Sequence, residues 1–201
     1  MDSTGTRPAD SLARLAYAEH VKNNLERARD LYERAIATKQ APAEAFNNYG
    51  ALLVQQGNTT MATEMFRHAT ASDETNVEAW LNLGDAFVAA GNHGSARSAF
   101  DRASQLDPSR ASIQIRLASE YLEVGDTTGA RRMYEEVVRT QPDDARAHHA
   151  YATFLQTAKD YLGAIREFDL FVEKAEKSGE FSPEKIDEIR RHVESLRKVT
   201  P

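Results

Sequence analysis

The sequence contains no cysteine, which excludes disulfides and thiol chemistry. It has no apolar run long enough to span a bilayer, so no direct membrane insertion is expected. Met1 to Asp10 carry no hydrophobic stretch either; no secretory signal is visible there, and the expected compartment is the cytoplasm. Reactive groupings are equally scarce. The six histidines, His20, His68, His93, His148, His149 and His192, are scattered along the chain. His148 and His149 are neighbours on a helix, pointing about 100° apart, and so do not share a metal easily. No glycine-rich phosphate loop follows a strand, because no strand is predicted, and no serine or threonine sits in a nucleophile-elbow context. Asp143-Asp144 and Asp187-Glu188 read as solvated charges at helix starts. The expectation is a protein that is not an enzyme, with no catalytic residues, no metal and no cofactor. A concentrated basic face is missing too: the net charge is −6, and residues 43–110 hold eight acidic against four basic side chains. That argues against a nucleic-acid partner.

What is present is a period. From Ala9, Ala43, Val77, Ala111 and Ala145 the chain divides into five units of 34 residues with no insertions. The eighth place is always small (Ala16, Gly50, Gly84, Ala118, Ala152) and the twentieth always alanine (Ala28, Ala62, Ala96, Ala130, Ala164). The twenty-fourth is always aromatic: Tyr32, Phe66, Phe100, Tyr134, Phe168. Apolar residues recur at helical spacing in both halves of a unit, as in Trp80, Leu83, Phe87 and then Ala96, Phe100, Ala103. Each unit therefore reads as two amphipathic helices whose small residues let the backbones approach. Gly57, Gly91 and Gly125 fall where the first helix ends, a position that favours a left-handed residue. Asn23 and Lys159 replace glycine in units one and five; lysine tolerates that conformation less well, so the fifth turn is expected to be less regular. Pro108 and Pro142 follow the second helix and discourage its continuation.

Residues 77–110 match in full the W…LG…Y…A…F…A…P pattern of the tetratricopeptide repeat (TPR) family, which the chain resembles over roughly residues 9–178. The resemblance implies an all-α, right-handed α-solenoid of five helix-turn-helix units, 9–42, 43–76, 77–110, 111–144 and 145–178. A disordered tail is expected over residues 1–8 and a C-terminal capping helix over 182–199. Ser182 offers that helix an N-cap and Pro183 a first helical residue, and Ile186, Ile189, Val193 and Leu196 form one apolar stripe along it. The alternative for the stripe is a dimerisation seam.

In tetratricopeptide arrays the first helices line a concave groove. The resemblance implies a peptide-binding set here of Asn47, Asn48, Val54, Leu81, Asn82, Asp85, Val88, Ile115, Arg116, Ser119, Leu122 and His149. Asn48 and Asn82 share the sixth place, held by Arg14 and Arg116 in the flanking repeats, and an amide there can pair with the backbone of an extended peptide. Val54, Leu81, Val88, Ile115 and Leu122 read as an apolar floor. Heat-shock chaperone C-terminal tails are not expected as partners. Family members that clamp their carboxylate use lysine at two of the clamp places, and no starting repeat supplies one; from repeat one those places hold Ala13, Tyr17, Asn48, Glu78 and Asn82. The function implied is a non-catalytic scaffold or adaptor that holds a peptide or helix of a partner protein. The alternative is a structural subunit that self-associates, as a homo-oligomer or within a larger complex, through its convex face or ends.

Overall fold

The computed structural model describes residues 7–38 and 40–199. Of the tail expected over 1–8, residues 1–6 lie outside that range, and Pro8 corrects the expectation: it already opens a helix, where a proline's missing N–H is no loss. The described residues form two compact units. The first, ending at residue 107, holds α1 (Pro8–Val21), α2 (Leu25–Ile36), α3 (Ala43–Gln55), α4 (Thr59–Ser72), α5 (Val77–Ala89) and α6 (His93–Leu106). The second, starting at residue 108, holds α7 (Ala111–Glu123), α8 (Thr127–Thr140), α9 (Ala145–Thr157), α10 (Tyr161–Ser178) and α11 (Pro183–Val199). No strand occurs among the described residues, so the class is all-α, built from helix pairs.

Within a pair, the small eighth place meets the aromatic twenty-fourth. A Cβ added to Gly50 would lie 2.5 Å from the Phe66 ring, and one added to Gly84 would collide with Phe100 in the same way. Phe66 and Phe100 are buried, as are all five alanines at place twenty. Where alanine replaces glycine at place eight, the aromatic partner is Tyr32, Tyr134 or Phe168, again buried. Tyrosines also tie adjacent pairs. Tyr32 stacks on Tyr49 at 5.8 Å, and the Tyr49 hydroxyl donates to Glu33 Oε1 at 2.8 Å. In the second unit Tyr134 stacks on Tyr151, whose hydroxyl donates to Glu135 Oε1 at 3.0 Å. Burial and the neighbouring carboxylate push both donors, Tyr49 and Tyr151, up to about 12, so they stay protonated donors at physiological pH.

The five intra-repeat turns are alike in backbone. Asn23, Gly57, Gly91, Gly125 and Lys159 all adopt positive φ, between 62° and 84°. In each, the following N–H reaches back five residues, as from Asn58 to Leu53 O at 2.8 Å and from Asp160 to Leu155 O at 2.8 Å. The expectation of a less regular fifth turn is thus corrected: Lys159 takes the same left-handed conformation, at a cost of about 1–2 kcal/mol. The next residue then caps the second helix, with Asn58, Asn92, Asp126 and Asp160 each accepting a backbone N–H through the side chain. After α10, Gly179 closes the helix at φ 67° and Ser182 Oγ accepts from Lys185 N–H at 3.3 Å to start α11. Ile186, Ile189, Val193 and Leu196 are buried in one core with Phe168 and Phe171. The seam alternative falls on that burial, because the stripe is consumed within the chain.

Gly84→Ala is expected to destabilise the protein by about 1–3 kcal/mol in urea titration, although alanine is the better helix former. Pairing it with Phe100→Leu is expected to recover part of the loss. An additive double-variant cycle would break the assigned contact.

Candidate functional site

Helices α1, α3 and α5 are neighbours in the first unit, and α7 and α9 in the second. These are the helices from which the groove residues were drawn. On the first unit, Asn82 Nδ2 donates to Asn47 Oδ1 at 2.9 Å, and His20 Nε2 meets Gln55 Oε1 at 3.1 Å. Both bonds span 35 residues, one repeat plus one. Asn48 is half-buried and lines a cavity of about 470 Å³ with Arg14, Tyr17 and Glu44. Val54 is 51% exposed and Val88 37% exposed at the same place of successive repeats; Asp85 is exposed as well. Leu81 corrects the expected floor. It is 4% exposed, a member of the packed interior, so nothing can dock on it.

On the second unit the expected residues separate further. Arg116 and Ile115 line a cavity of about 480 Å³ with Arg110, Ser112, Asp144 and Arg146. Ile115 and Leu122 are only half-exposed and pack against the core, so they are shared between surface and interior. Ser119 Oγ lies 3.0 Å from Ile115 O and 3.0 Å from the Tyr134 hydroxyl, which commits it to the fold. His149 corrects the expected groove more sharply. Its ring stands edge-on to Phe168 and Phe171, at 5.8 and 5.2 Å, and burial lowers its pKa, with Lys185 on α11 adding to that. A helix outside the repeat register lies beside it, and no offset rule predicts that. Among the described residues, no three His, Cys, Asp or Glu side chains gather where they could hold a metal ion. No helix among them is long and apolar enough to cross a membrane.

Sequence reasoning missed a contact at the fourth place of the repeat. The Trp80 indole N–H donates to Glu74 O at 3.0 Å, His148 Nε2 sits 3.0 Å from Pro142 O, and Gln114 Nε2 reaches Pro108 O at 3.4 Å. In each case the donor binds the carbonyl six residues earlier, at place thirty-two of the preceding repeat. The signal was available: all three side chains carry an N–H, which a purely apolar position would not need. His148 also approaches Glu167 Oε2 at 2.7 Å through Nδ1 while only 4% exposed. Burial alone would lower its pKa. The hydrogen bonds to Glu167 and Pro142, with the Glu167 charge, outweigh that and raise it, because two acceptors facing the two ring nitrogens suit an imidazolium.

Residues 66–180 match the model of a family described as the cytochrome c-type biogenesis protein H TPR domain, and residues 43–76 match a tetratricopeptide repeat. No curated protein matches the chain. Among solved structures, the chain is similar to MamA at 21% identity and TM-score 0.71, covering 88% of this chain and 99% of that one. It is similar to TTC0263, a thermophilic TPR protein of Thermus thermophilus, at 17% identity and TM-score 0.67, covering 95% of this chain and 100% of that one. It is also similar to YrrB, described as a TPR protein with an unusual peptide-binding site, at 20% identity and TM-score 0.68, with 81% and 84% covered.

The raised pKa of His148 sets the sign of a pH effect. Its contribution is complete below about pH 6.5, the unfolded value, and is lost as pH rises through the folded one. The lowered pKa of His149 acts oppositely, its contribution being lost as pH falls below about 6.5. The melting-temperature gap between the natural chain and His148→Gln is therefore expected to be widest near about pH 6 and to narrow towards about pH 8.5. A gap that stays constant with pH would show that folding leaves the His148 pKa at its unfolded value.

Proposed function

The chain belongs to the tetratricopeptide repeat family, whose cytochrome c-type biogenesis protein H branch matches more than half of it, and on that premise we propose that it is a protein-interaction module without catalytic activity. Its concave face holds an extended segment of a partner protein. The observation that carries this reading is the pair Val54 and Val88, aliphatic side chains left 51% and 37% exposed on successive rungs of the first unit. Their neighbours at that face are amides: Asn48 at the mouth of a cavity and the bonded pair Asn47–Asn82. Apolar side chains grouped beside polar groups of fixed orientation suit a ligand with an alternating side-chain pattern and a backbone that needs pairing.

Asn48 pairs with the segment's backbone, and Tyr17, Val54 and Val88 supply the apolar contact. Asn82 holds the Asn47 amide in place. A peptide-binding site in the similar protein YrrB supports the general reading.

The test is capture from a lysate of the source organism by the natural chain and by an Asn48→Ala, Val54→Asp, Val88→Asp variant. Because these positions are exposed or half-exposed, each substitution is expected to change stability by only about 0.5 kcal/mol. Partners captured by the natural chain and lost by the folded variant are expected. Retention of every partner by the variant would remove the concave face as the site.

A further inference from the structure

The crevice between the two helices of a repeat, opposite in sequence place to the groove set, is closed differently in successive repeats. In the second, Phe46 at place four stacks on His68 of α4, with ring centroids 5.4 Å apart. In the third, the Trp80 indole occupies place four and is anchored to Glu74 O. In the fifth, His148 and Glu167 close it as a hydrogen-bonded pair at 2.7 Å. The fourth repeat has Gln114 there, and its crevice is a cavity of about 690 Å³ lined by Tyr121, Gly129, Met133 and Val137. The equivalent crevice beside Trp80 measures about 430 Å³. Place nineteen adds to the difference, since Met61 and Ser95 hold it in repeats two and three whereas Gly129 adds no side chain.

We propose that this crevice of the fourth repeat is a docking site for an aromatic side chain, an indole, presented by a segment of a partner protein with a carboxylate beside it. The occupant follows from the repeat itself. Trp80 shows what the same helix-pair geometry accommodates at place four, and the matching carbonyl acceptor, Pro108 O, lines the crevice, where the long 3.4 Å bond from Gln114 Nε2 is the one a docking indole N–H would replace. The ring would lie against Tyr121 and the polarisable Met133 thioether, both favourable neighbours for an aromatic. Two opposite charges line the exposed rim: Glu136 is engaged by Arg139 through two hydrogen bonds, and the Arg132 guanidinium supplies the complement for the carboxylate. The site lies on α7 and α8 and does not use Asn48, Val54 or Val88, so it stands or falls apart from the concave-face reading.

The experiment uses the full ¹⁵N-labelled chain and the probes acetyl-Glu-Trp-amide and acetyl-Lys-Trp-amide. Binding is expected at the millimolar level, with saturable amide shifts at Gly129 and Met133 and none at Gly94 and Ser95 of the third repeat. The glutamyl probe is expected to bind about threefold more tightly than the lysyl one. Gln114→Trp, which supplies the indole internally, is expected to abolish the shifts in a folded protein. Arg132→Glu, an exposed change that leaves the crevice intact, is expected to reverse the preference between the probes. Absence of saturable shifts at Gly129 and Met133, equal shifts in the third repeat, or undiminished binding by folded Gln114→Trp would overturn the proposal. If Gln114→Trp does not fold, an unchanged probe preference in Arg132→Glu overturns it instead.

Discussion

Everything in this chain rests on how closely two helix backbones approach within a repeat. Gly50 and Gly84 leave no space for a Cβ against Phe66 and Phe100, and the alanines at place twenty are fully buried. A protein interior is packed so densely that one methyl group matters, so this contact fixes the separation and the rotation of the pair. Rotation decides which side chains reach the surface. Val54 and Val88 are exposed and Leu81 is buried because the paired second helix sets the roll of α3 and α5, not because the residues differ in hydrophobicity.

That dependence explains what could and could not be read from the residues. Places eight, twenty and twenty-four are visible as a period because sterics admit few residue types there. The left-handed turn was legible from Gly57, Gly91 and Gly125, yet Lys159 shows that the turn is imposed by the pair it connects and not by its own preference. Burial of individual aliphatic residues was not legible. Leucine at place five of the third repeat and valine at place twelve look alike in sequence, and only the rotation of the folded helix separates them. His149 was misread for another reason: the helix near it, α11, starts four residues out of register with the repeats. The amide pair Asn47–Asn82 and the carbonyl anchors at place four join neighbouring repeats at offsets that a single-repeat template does not display.

The same template yields surfaces of opposite character. The first helices α3 and α5 carry amides beside exposed valines. Where Gln114 replaces the aromatic at the fourth place, in the fourth repeat, the crevice between the paired helices is wider than the one beside Trp80. Neither requires a change to the places that set the helix separation, which is why such positions vary freely while the fold persists.

Helix α11 has a consequence for how an array of this kind grows. Its stripe of Ile186, Ile189, Val193 and Leu196 occupies the apolar face that a sixth repeat would need, and Arg197 and Arg190 fasten it to Asp169 and Glu176 of α10. A duplicated repeat therefore cannot be appended after Ser178 without evicting this helix. Between existing repeats, by contrast, the interfaces on both sides already accept one another. On the side that α11 covers, the stack of repeats can lengthen only from within.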